Sequence, residues 1–450
     1  MAQVERRGVF AWMMADWAGQ PFHTLCITFV FTPYFVEYGL GGGDEGQAAW
    51  GYMIALAGIA IAVLAPVVGA MADVSGPRKP WIAALSIVHV IFTAALWFGA
   101  PGMEAPWMIL TAFALALIAT ELAFIFLNSM LPDLATEGWI GRVSGFAWAI
   151  GYAGGLIALV WVLGFMVADP ETGLTLLGAP PIWGLDAAEG EGSRMSGPFS
   201  AIWYCVFILP MFLLTPDAPR KVSGSTASAG LRELRETIRR LPRHPSLLTF
   251  LVSSMFYRDA LAALYTFAGI YAVGVLGLSI VDLGAFGVIG IVVGIIGCVI
   301  GGYADSHFGP RPVVAVSCAI LAGASLVLTL TTATSFLGMD LPEGSTLPLT
   351  VFYVVGGLVG GAGGAMQAAS RSLMVRQIPE PGMRAQGFGL YGLSGKATAF
   401  LAPGLIAIAT DITESQRLGV TPVVGLFLIG LVLLYWVKPL GDRPHATTFD

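Results

Sequence analysis

Long apolar runs, separated by short polar stretches, recur along the whole chain. A helix needs about 20 mostly apolar residues to cross the hydrocarbon core of a membrane, which is about 30 Å thick. Because the runs are continuous rather than alternating, they favour helices over the strands of a membrane β-barrel. The sequence predicts an all-α integral membrane protein with twelve transmembrane helices, at 11–37, 48–71, 80–99, 106–131, 143–168, 198–215, 247–275, 280–303, 312–335, 348–374, 385–410 and 419–438.

Composition agrees with lipid as the solvent, since 56% of residues are hydrophobic and only 11% are charged. A soluble domain carries about 25% charged residues. The 58 glycines, in runs such as 356-GGLVGGAGG-364, allow close and movable helix packing. The four cysteines fall in apolar spans at no metal-ligand spacing, which indicates reduced packing residues and predicts neither metal nor cofactor: Cys26, Cys205, Cys298 and Cys318. The first apolar run lacks a cleavage pattern and is expected to remain as the first helix.

Basic residues in the loops are distributed unevenly between the two sides of this topology. One side has only Arg194 and Arg417, with many acids: Asp44, Glu45, Glu104, Asp169, Glu171, Asp186, Glu189, Glu191, Asp340 and Glu343. The other side carries the remaining clusters: Arg6, Arg7, Arg78, Lys79, Arg142, those within 220–243, Arg311, Arg376, Arg384, Lys438 and Arg443. Because basic loops are retained in the cytoplasm, both termini are predicted to be cytoplasmic in a multi-pass cell (plasma or inner) membrane protein. No nucleic-acid partner is indicated, and a monomer is expected.

Two connections are longer than the others. The outer loop 169–197 is interpreted as a passive connector or as a cap over the entrance. In the segment 216–246 apolar and basic residues alternate at helical spacing: Leu231, Leu234, Ile238 and Leu241 against Arg232, Arg235, Arg239 and Arg240. This pattern predicts an amphipathic basic helix that lies on anionic lipid headgroups or is a solvated linker helix.

Two loop motifs occur twice, six predicted helices apart. The sequence 69-GAMADVSGPRKP-80 matches 301-GGYADSHFGPRP-312, and 142-RVSGF-146 matches 384-RAQGF-388. A duplicated six-helix unit explains both pairs and places a central site between two halves that can rock. The sequence therefore predicts two pseudo-symmetric six-helix bundles, at 1–215 and 247–450, joined by the linker 216–246.

The first loop resembles the signature loop of the major facilitator superfamily, through Gly69, Asp73, Gly76, Arg78 and Lys79. In that superfamily the carboxylate and basic residues of this loop latch helix ends on the cytoplasmic face. The resemblance thus implies the major facilitator fold and a gating role for these residues. The second loop supplies the corresponding set: Gly301, Asp305, Gly309 and Arg311.

Further stretches look like the bacterial relatives of the fungal vacuolar amino-acid effluxers linked to autophagy. They are 15-ADWAGQPFHT-24, 128-NSMLPDLATEGWIGRVSGFAWAIGYAGG-155, 256-FYRDALAALYTFAGIYA-272, 366-MQAASRSLMVRQIPE-380 and 387-GFGLYGLSGKATAFLAP-403. The resemblance covers nearly the whole chain. It implies a transporter and suggests amino-acid efflux, and leaves the substrate open.

Ionisable side chains inside the spans mark candidate functional positions: Asp16, Glu121, Arg258, Asp259 and Lys396. One charge at mid-bilayer costs about 2.5–3.5 kcal/mol on insertion scales, so such residues are expected to be paired or to face a wet cavity.

Other polar residues share helix faces with these charges. Asp16, Gln20 and His23 follow an i, i+4, i+7 spacing, and Glu121 lies seven residues before Asn128. Gln367 and Arg371 are four apart, with Arg371 expected to snorkel to the cytoplasmic end. Together with Arg258 and Asp259, these residues fall on predicted helices 1, 4, 7 and 10. The resemblance implies that these four helices line the central path, as they do in facilitators.

These groups suggest a cavity that binds both a cation and an anion. Arg258 and Lys396 would bind a carboxylate, and Glu121 or Asp259 would be the protonatable group. The alternative is structural ion pairing, for example between Glu121 and Arg258. Arg258 and Asp259 are adjacent and point about 100° apart on a helix, so one of them is expected to support other helices.

The resulting prediction is a secondary active transporter of a small polar solute such as an amino acid or related zwitterion, with protons as a candidate coupling ion. It uses alternating access and is not an enzyme, and no phosphate-binding G-x-x-x-x-G-K-[ST] loop occurs. A carrier of a lipophilic drug or amphiphile is one alternative. A non-transporting membrane receptor or scaffold is the other.

Overall fold

The computed structural model describes residues 5–41, 43–136, 138–169, 172–219, 227–276, 280–378 and 383–442. Its α-helices are α1 Arg6–Pro21, α2 Phe31–Tyr34, α3 Gly43–Ser75, α4 Lys79–Ala94, α5 Pro106–Leu134, α6 Ile140–Phe165, α7 Glu191–Leu214, α8 Ala227–Arg240, α9 Pro245–Gly274, α10 Ile280–Phe308, α11 Pro310–Thr329, α12 Leu347–Gln377, α13 Arg384–Ala397, α14 Leu401–Thr413, α15 Gln416–Gly419 and α16 Thr421–Leu434. Two short strands, β1 Ser335–Phe336 and β2 Met339–Asp340, form an antiparallel hairpin between α11 and α12. Several residues named above lie outside the described chain, by backbone or by side chain: Asp44, Glu45, Glu171, 220–226, Leu231, Leu234, Lys396 and Arg443.

Within the described residues, ten helices are long and apolar enough to cross a membrane. The prediction of an all-α membrane protein is confirmed, and these ten helical stretches coincide with ten of the twelve predicted spans. The helices of the first and the eleventh predicted spans are interrupted. The count of twelve transmembrane helices stays a prediction.

The first span changes helix type at Pro21. α1 ends at Pro21 and is followed by π-helical turns over Phe22–Phe29 and Phe35–Gly39, with α2 between them. Proline has no backbone N–H and its ring crowds the preceding turn, so it disturbs the regular hydrogen-bond ladder. The α-helical spacing assumed for the first span holds for Asp16 and Gln20 but does not extend to His23.

The eleventh span is divided into α13 and α14 by a turn at residues 398–400. Pro403 is the third residue of α14, and its ring would crowd the carbonyl of residue 399 in a continuous helix. Side chains of α9, described below, contact both sides of the break.

The chain forms two compact units, and each unit contains several separate segments of the sequence. Unit 1 comprises Met1–Leu64, Ser75–Met130 and Ile150–Val222, and unit 2 comprises Ala65–Val74, Leu131–Ala149 and Ser223–Asp450. The ends of α3 and α5 and the start of α6 thus belong with the second half of the sequence. The division of the sequence into halves at 215 and 247 stays a prediction.

Unit 1 has an aromatic and aliphatic core around the interrupted first span. The rings of Phe31 and Phe35 stack with centroids 5.4 Å apart, and Phe113 of α5 lies 5.5 Å from Phe22. Offset and tilted ring contacts of this kind add stabilisation beyond the buried area. The packed rings therefore hold the irregular turns in place.

The outer loop 169–197, where described, folds onto the helix ends of unit 1. The Leu176 N–H donates to the Leu163 carbonyl at 3.2 Å, and the Tyr34 hydroxyl donates to the Gly99 carbonyl at 3.1 Å and the Glu189 carbonyl at 3.4 Å. The loop is thus tied to its own unit. Its role as a cap stays a prediction.

In unit 2, α10 packs closely on α12 through small residues. A Cβ atom added to Gly301 of α10 would lie 2.7 Å from the Cβ atom of Ala365 in α12. Only small side chains permit this approach, so the predicted role of glycine in close helix packing is confirmed.

Candidate functional site

Arg258 and Asp259 of α9 contact the two sides of the break in the eleventh span. The Arg258 guanidinium donates through Nη1 to the Tyr391 carbonyl of α13 at 2.8 Å, and its Cζ lies 4.3 Å from the Tyr391 ring centroid. On the other side, Oδ2 of Asp259 accepts the backbone N–H of Ala402, at the start of α14, at 2.9 Å. A cation near the C-terminal part of one helix and a carboxylate at the N-terminus of the next both complement the helix dipoles.

Several neighbours fix the position of Arg258. The Tyr391 ring stacks on Phe250 with centroids 5.7 Å apart, and the Tyr391 carbonyl also accepts the Ser394 hydroxyl at 2.8 Å. Gly395 makes room for the guanidinium, because an added Cβ would lie 2.6 Å from Arg258 Cζ. Arg258 is half-buried, whereas Asp259 is buried at 5% exposure.

The two residues therefore differ in role, as their angular separation suggests. Asp259 is committed to the start of α14. Arg258 is more accessible, and its planar guanidinium has five N–H donors that suit a carboxylate held by two parallel hydrogen bonds. Lys396, the second cation predicted for this purpose, has a side chain outside the described residues.

Arg371 of α12 does not snorkel, and that prediction is wrong. The side chain is 2% exposed, donates through Nε to the Ser144 hydroxyl at 2.9 Å and through Nη2 to the Ser144 carbonyl at 2.7 Å. Its Cζ lies 5.6 Å from the Trp148 ring centroid. Buried acceptors on α6 supply the partners that the headgroup region would otherwise provide. Gln367, one turn earlier on α12, is half-buried.

The predicted site residues of unit 1 lie on α1, on α5 and on the π-helical turn after α1. Asp16 is 9% exposed, and a Cβ added to Gly151 of α6 would lie 3.3 Å from the Asp16 Cβ. A Cβ added to Gly155, one turn later, would lie 2.8 Å from Gln20 Cγ. Asp16 and Gln20 thus face α6 along a glycine stripe.

The remaining candidate residues of unit 1 lie on other elements. His23 is half-buried in the π-helical turn. On α5, Glu121 is half-buried and Asn128 is 7% exposed. His89 of α4 is buried, with Nδ1 3.0 Å from the Ala116 carbonyl oxygen.

Asp73 of the signature loop binds the start of α13. Its carboxylate accepts the backbone N–H of Ala385 at 3.1 Å and that of Gln386 at 2.8 Å, and the side chain is 1% exposed. Gly69 lets the chains approach, since an added Cβ would lie 2.6 Å from the Ala385 carbonyl oxygen. A residue of the first sequence half thereby caps a helix of the second half.

Asp305 of the second signature loop occupies the corresponding place at the start of α6. A Cβ added to Gly141 would lie 2.6 Å from both the Cβ and Oδ2 of Asp305, so the carboxyl group lies directly on this turn. Arg376 of α12 donates to Asp305 Oδ1 at 3.3 Å. The duplicated motifs thus make reciprocal contacts between sequence halves.

We call this group of contacts in unit 2 the latch network, defined by Gly69, Asp73, Asp133, Gly141, Ser144, Asp305, Arg371, Arg376 and Arg384. Sequence reasoning missed the Arg384–Asp133 ion pair and the Ser144–Arg371 contact. Both Arg384 and Ser144 lie inside the repeated R-x-x-G-F motifs, so the repeat was the available signal.

The other basic residues of the first signature loop serve unit 1. The backbone N–H groups of Arg78 and Lys79 each donate to Asp217 at 2.9 Å, and Lys79 Nζ donates to the Phe212 carbonyl at 2.8 Å. They therefore tie the start of α4 to the end of α7. In the second loop, Gly309 has a positive φ of 84°, which favours glycine, and Arg311 begins α11 half-buried.

Among the described residues, no group of three or more His, Cys, Asp or Glu side chains is placed to hold a metal ion.

Solved structures with this arrangement of helices are membrane transporters. The human organic anion transporter MFSD10 (TETRAN) superposes with a TM-score of 0.70 at 15% identity, over 96% of this chain and 99% of that chain. The major facilitator transporter FucP in its outward conformation gives 0.69 at 14% identity, over 97% and 100%. At these identities the likeness shows the fold.

The full-length relative YxiO of Bacillus subtilis, described as an uncharacterized MFS-type transporter, is 24% identical over 451 residues, covering 98% of this chain and 95% of that protein. Fold and relative together define a transporter of the major facilitator superfamily, a class of membrane carriers rather than enzymes.

Within this class, the chain belongs to the family described as vacuole effluxer Atg22 like, whose sequence model matches residues 41–441. Autophagy-related protein 22 of Kluyveromyces lactis is 24% identical over 230 residues, covering 49% of this chain and 46% of that protein. The resemblance drawn from the sequence motifs is confirmed.

Proposed function

We propose that the protein is a secondary active transporter that moves a small carboxylate-bearing polar solute, such as an amino acid or related zwitterion, by alternating access. The observation that carries the proposal is the half-buried Arg258 beside the broken eleventh span. Transporters place solute and ion sites at interrupted helices, where backbone polar groups are released from the helical ladder. A fixed guanidinium at such a place suits a carboxylate.

The latch network supports the alternating-access part of this proposal. Its contacts are hydrogen bonds from backbone N–H groups to Asp73 and a few ion pairs, rather than a continuous apolar core. When such a contact opens to water, both partners can hydrogen-bond to water instead, so these contacts can break and re-form in a transport cycle. Gly69 and Gly141 lie where the chain segments of the latch network come closest, and they have no side chains that would have to move apart when the contacts open.

Orientation, direction and coupling belong to the same proposal. Both termini are proposed to be cytoplasmic in a cell-membrane protein, because basic loops are retained on that side, and the latch network is then cytoplasmic too. Efflux is proposed because the matching family is described as vacuole effluxer Atg22 like. Glu121 of α5, half-buried in the span, is the carboxyl group proposed to carry a coupling proton.

The test is counterflow and uptake in proteoliposomes with a panel of labelled amino acids, each with and without a pH gradient. The proposal expects flux of at least one of them and a response to the gradient. Flux only of lipophilic cations or amphiphiles would replace the substrate class, and a folded protein that moves nothing would support a receptor or scaffold.

Glu121→Gln separates coupling from translocation in the same assay. The variant keeps side-chain size and removes the titratable group, so exchange should continue while its dependence on the pH gradient is lost. An unchanged dependence would remove Glu121 from the coupling role.

A further inference from the structure

The linker helix α8 makes a specific contact with the latch network. Thr237 of α8 is buried, at 5% exposure, and its hydroxyl donates to the Gln386 side-chain oxygen at 3.1 Å. Gln386, fully buried, is the residue whose backbone N–H donates to Asp73. One side of α8 is therefore fixed on the turn that the signature-loop carboxylate caps.

Three arginines lie on the opposite side of the same helix. With about 100° between successive helical residues, Arg232, Arg235 and Arg239 all lie about 140–160° from Thr237. All three are exposed. Arg240 is different, because it forms an ion pair with Glu236 at 3.3 Å that is neutral overall. The outer face of α8 thus carries a concentrated positive charge, which we call the arginine face.

The position of α8 along the chain brings this face close to the membrane. Only a 3-10 turn, Leu241–Arg243, and His244 separate α8 from Pro245, where a membrane span begins. Ile238, next to the arginine face, is 52% exposed although it is apolar. An apolar side chain beside arginines, a few residues from a span, is typical of a helix lying at headgroup depth.

We propose that the arginine face of α8 binds the phosphates of anionic phospholipids, and that this binding strengthens the Thr237–Gln386 contact and with it the Asp73 cap on α13. Arginine pairs well with phosphate oxygens, and anionic headgroups attract basic segments next to membrane spans. Anionic lipid thereby favours the latched arrangement of the network. The proposal concerns lipid and needs no particular transported solute.

The test is hydrogen–deuterium exchange of the full chain in nanodiscs that contain either phosphatidylcholine alone or phosphatidylcholine with phosphatidylglycerol. Peptides from α8 and from the start of α13 are followed. The expected result is exchange slowed by roughly threefold or more in both peptides with the anionic lipid, an effect that high salt removes. Equal exchange in the two lipid mixtures would overturn the proposal.

Variants assign the effect to the named residues. Arg235→Gln with Arg239→Gln should abolish the lipid effect in both peptides, whereas Arg6→Gln with Arg7→Gln, which removes the same charge from another basic segment, should keep it. Thr237→Val should keep the effect in α8 and abolish it at α13. A lipid effect that survives the first pair would contradict the arginine face, and protection produced only by added cytosolic protein would point to a protein partner instead.

Discussion

At the scale of single residues, the structure assigns different tasks to charges that look alike in sequence. Arg258 and Asp259 are neighbours in a span, yet one contacts α13 and the other caps α14. Asp73 and Asp217 are both buried or half-buried acceptors of two backbone N–H groups, but they join different elements. Partners rather than residue type decide the function.

Asp259→Ala should destabilise the protein, because the N–H of Ala402 at the start of α14 loses its acceptor. Loss of a helix cap costs about 0.5–2 kcal/mol, and the figure here should fall in that range. Asp259→Asn keeps an oxygen acceptor and should lose less than half as much. Thermal unfolding in detergent measures both. Equal unfolding temperatures for wild type and Asp259→Ala would show that the cap contributes nothing.

Asp73→Asn should loosen the start of α13. A carboxylate accepts both N–H groups of Ala385 and Gln386, whereas an amide has one acceptor oxygen and would turn an NH₂ group toward the second donor. Exchange of these two amides should rise about tenfold, which corresponds to about 1.4 kcal/mol, the cost expected for one charge-assisted bond.

Asp217→Asn is the matched control for that change, since Asp217 accepts the N–H groups of Arg78 and Lys79 at the start of α4. It should loosen α4 and leave α13 unaffected. Equal exchange at α13 in Asp73→Asn and wild type would contradict the capping role of Asp73.

At the scale of elements, the interruptions of the first and eleventh spans separate what local sequence encodes from what it does not. Pro21 signals the first break locally, although not its π-helical form. The break between α13 and α14 has a local signal in Pro403, whose ring would crowd the carbonyl of residue 399 in a continuous helix. The capping group, however, comes from Asp259, far away in the chain. Hydropathy alone therefore locates ten of the spans, and it does not reveal the interruptions in the first and the eleventh.

The candidate site was predictable to a similar extent. Charges inside a span are costly, so the position of Arg258 and Asp259 within an apolar span marks them as candidate functional residues. The repeated motifs pointed to Asp73 and Asp305. The repeated R-x-x-G-F motif marks Ser144, but its contact with Arg371 depends on how α6 packs against α12, and a buried arginine looks in sequence like one that snorkels.

Gly389→Val tests the close approach of α13 to α3. A Cβ at Gly389 would lie 2.6 Å from the Ala65 carbonyl oxygen, so the larger side chain cannot fit without moving the helices apart. Exchange at the start of α13 should rise by roughly five- to 150-fold, which corresponds to an overpacking cost of about 1–3 kcal/mol. Gly404→Val on α14, where an added Cβ has nothing within 4 Å, should leave it unchanged. Equal behaviour of the two variants would exclude steric packing as the reason for Gly389.

At the scale of the whole molecule, the major facilitator fold agrees with the duplicated motifs and with the reciprocal contacts of Asp73 and Asp305. Each sequence half contributes a carboxylate to a helix start in the other half. The solute site proposed at Arg258 lies on α9 and the interrupted eleventh span, and its use by a carboxylate is the central claim.

Counterflow of a labelled amino acid into proteoliposomes tests that claim most directly, with wild type, Arg258→Lys and Arg258→Gln compared at equal reconstituted amounts. The wild type should transport the amino acid, and Arg258→Lys should transport it more slowly and with a higher half-saturation concentration. Arg258→Gln should lose at least about a hundredfold in transport, because a carboxylate left without its cation costs about 3 kcal/mol or more. Unchanged transport by Arg258→Gln, in a protein that unfolds at the wild-type temperature, would contradict it.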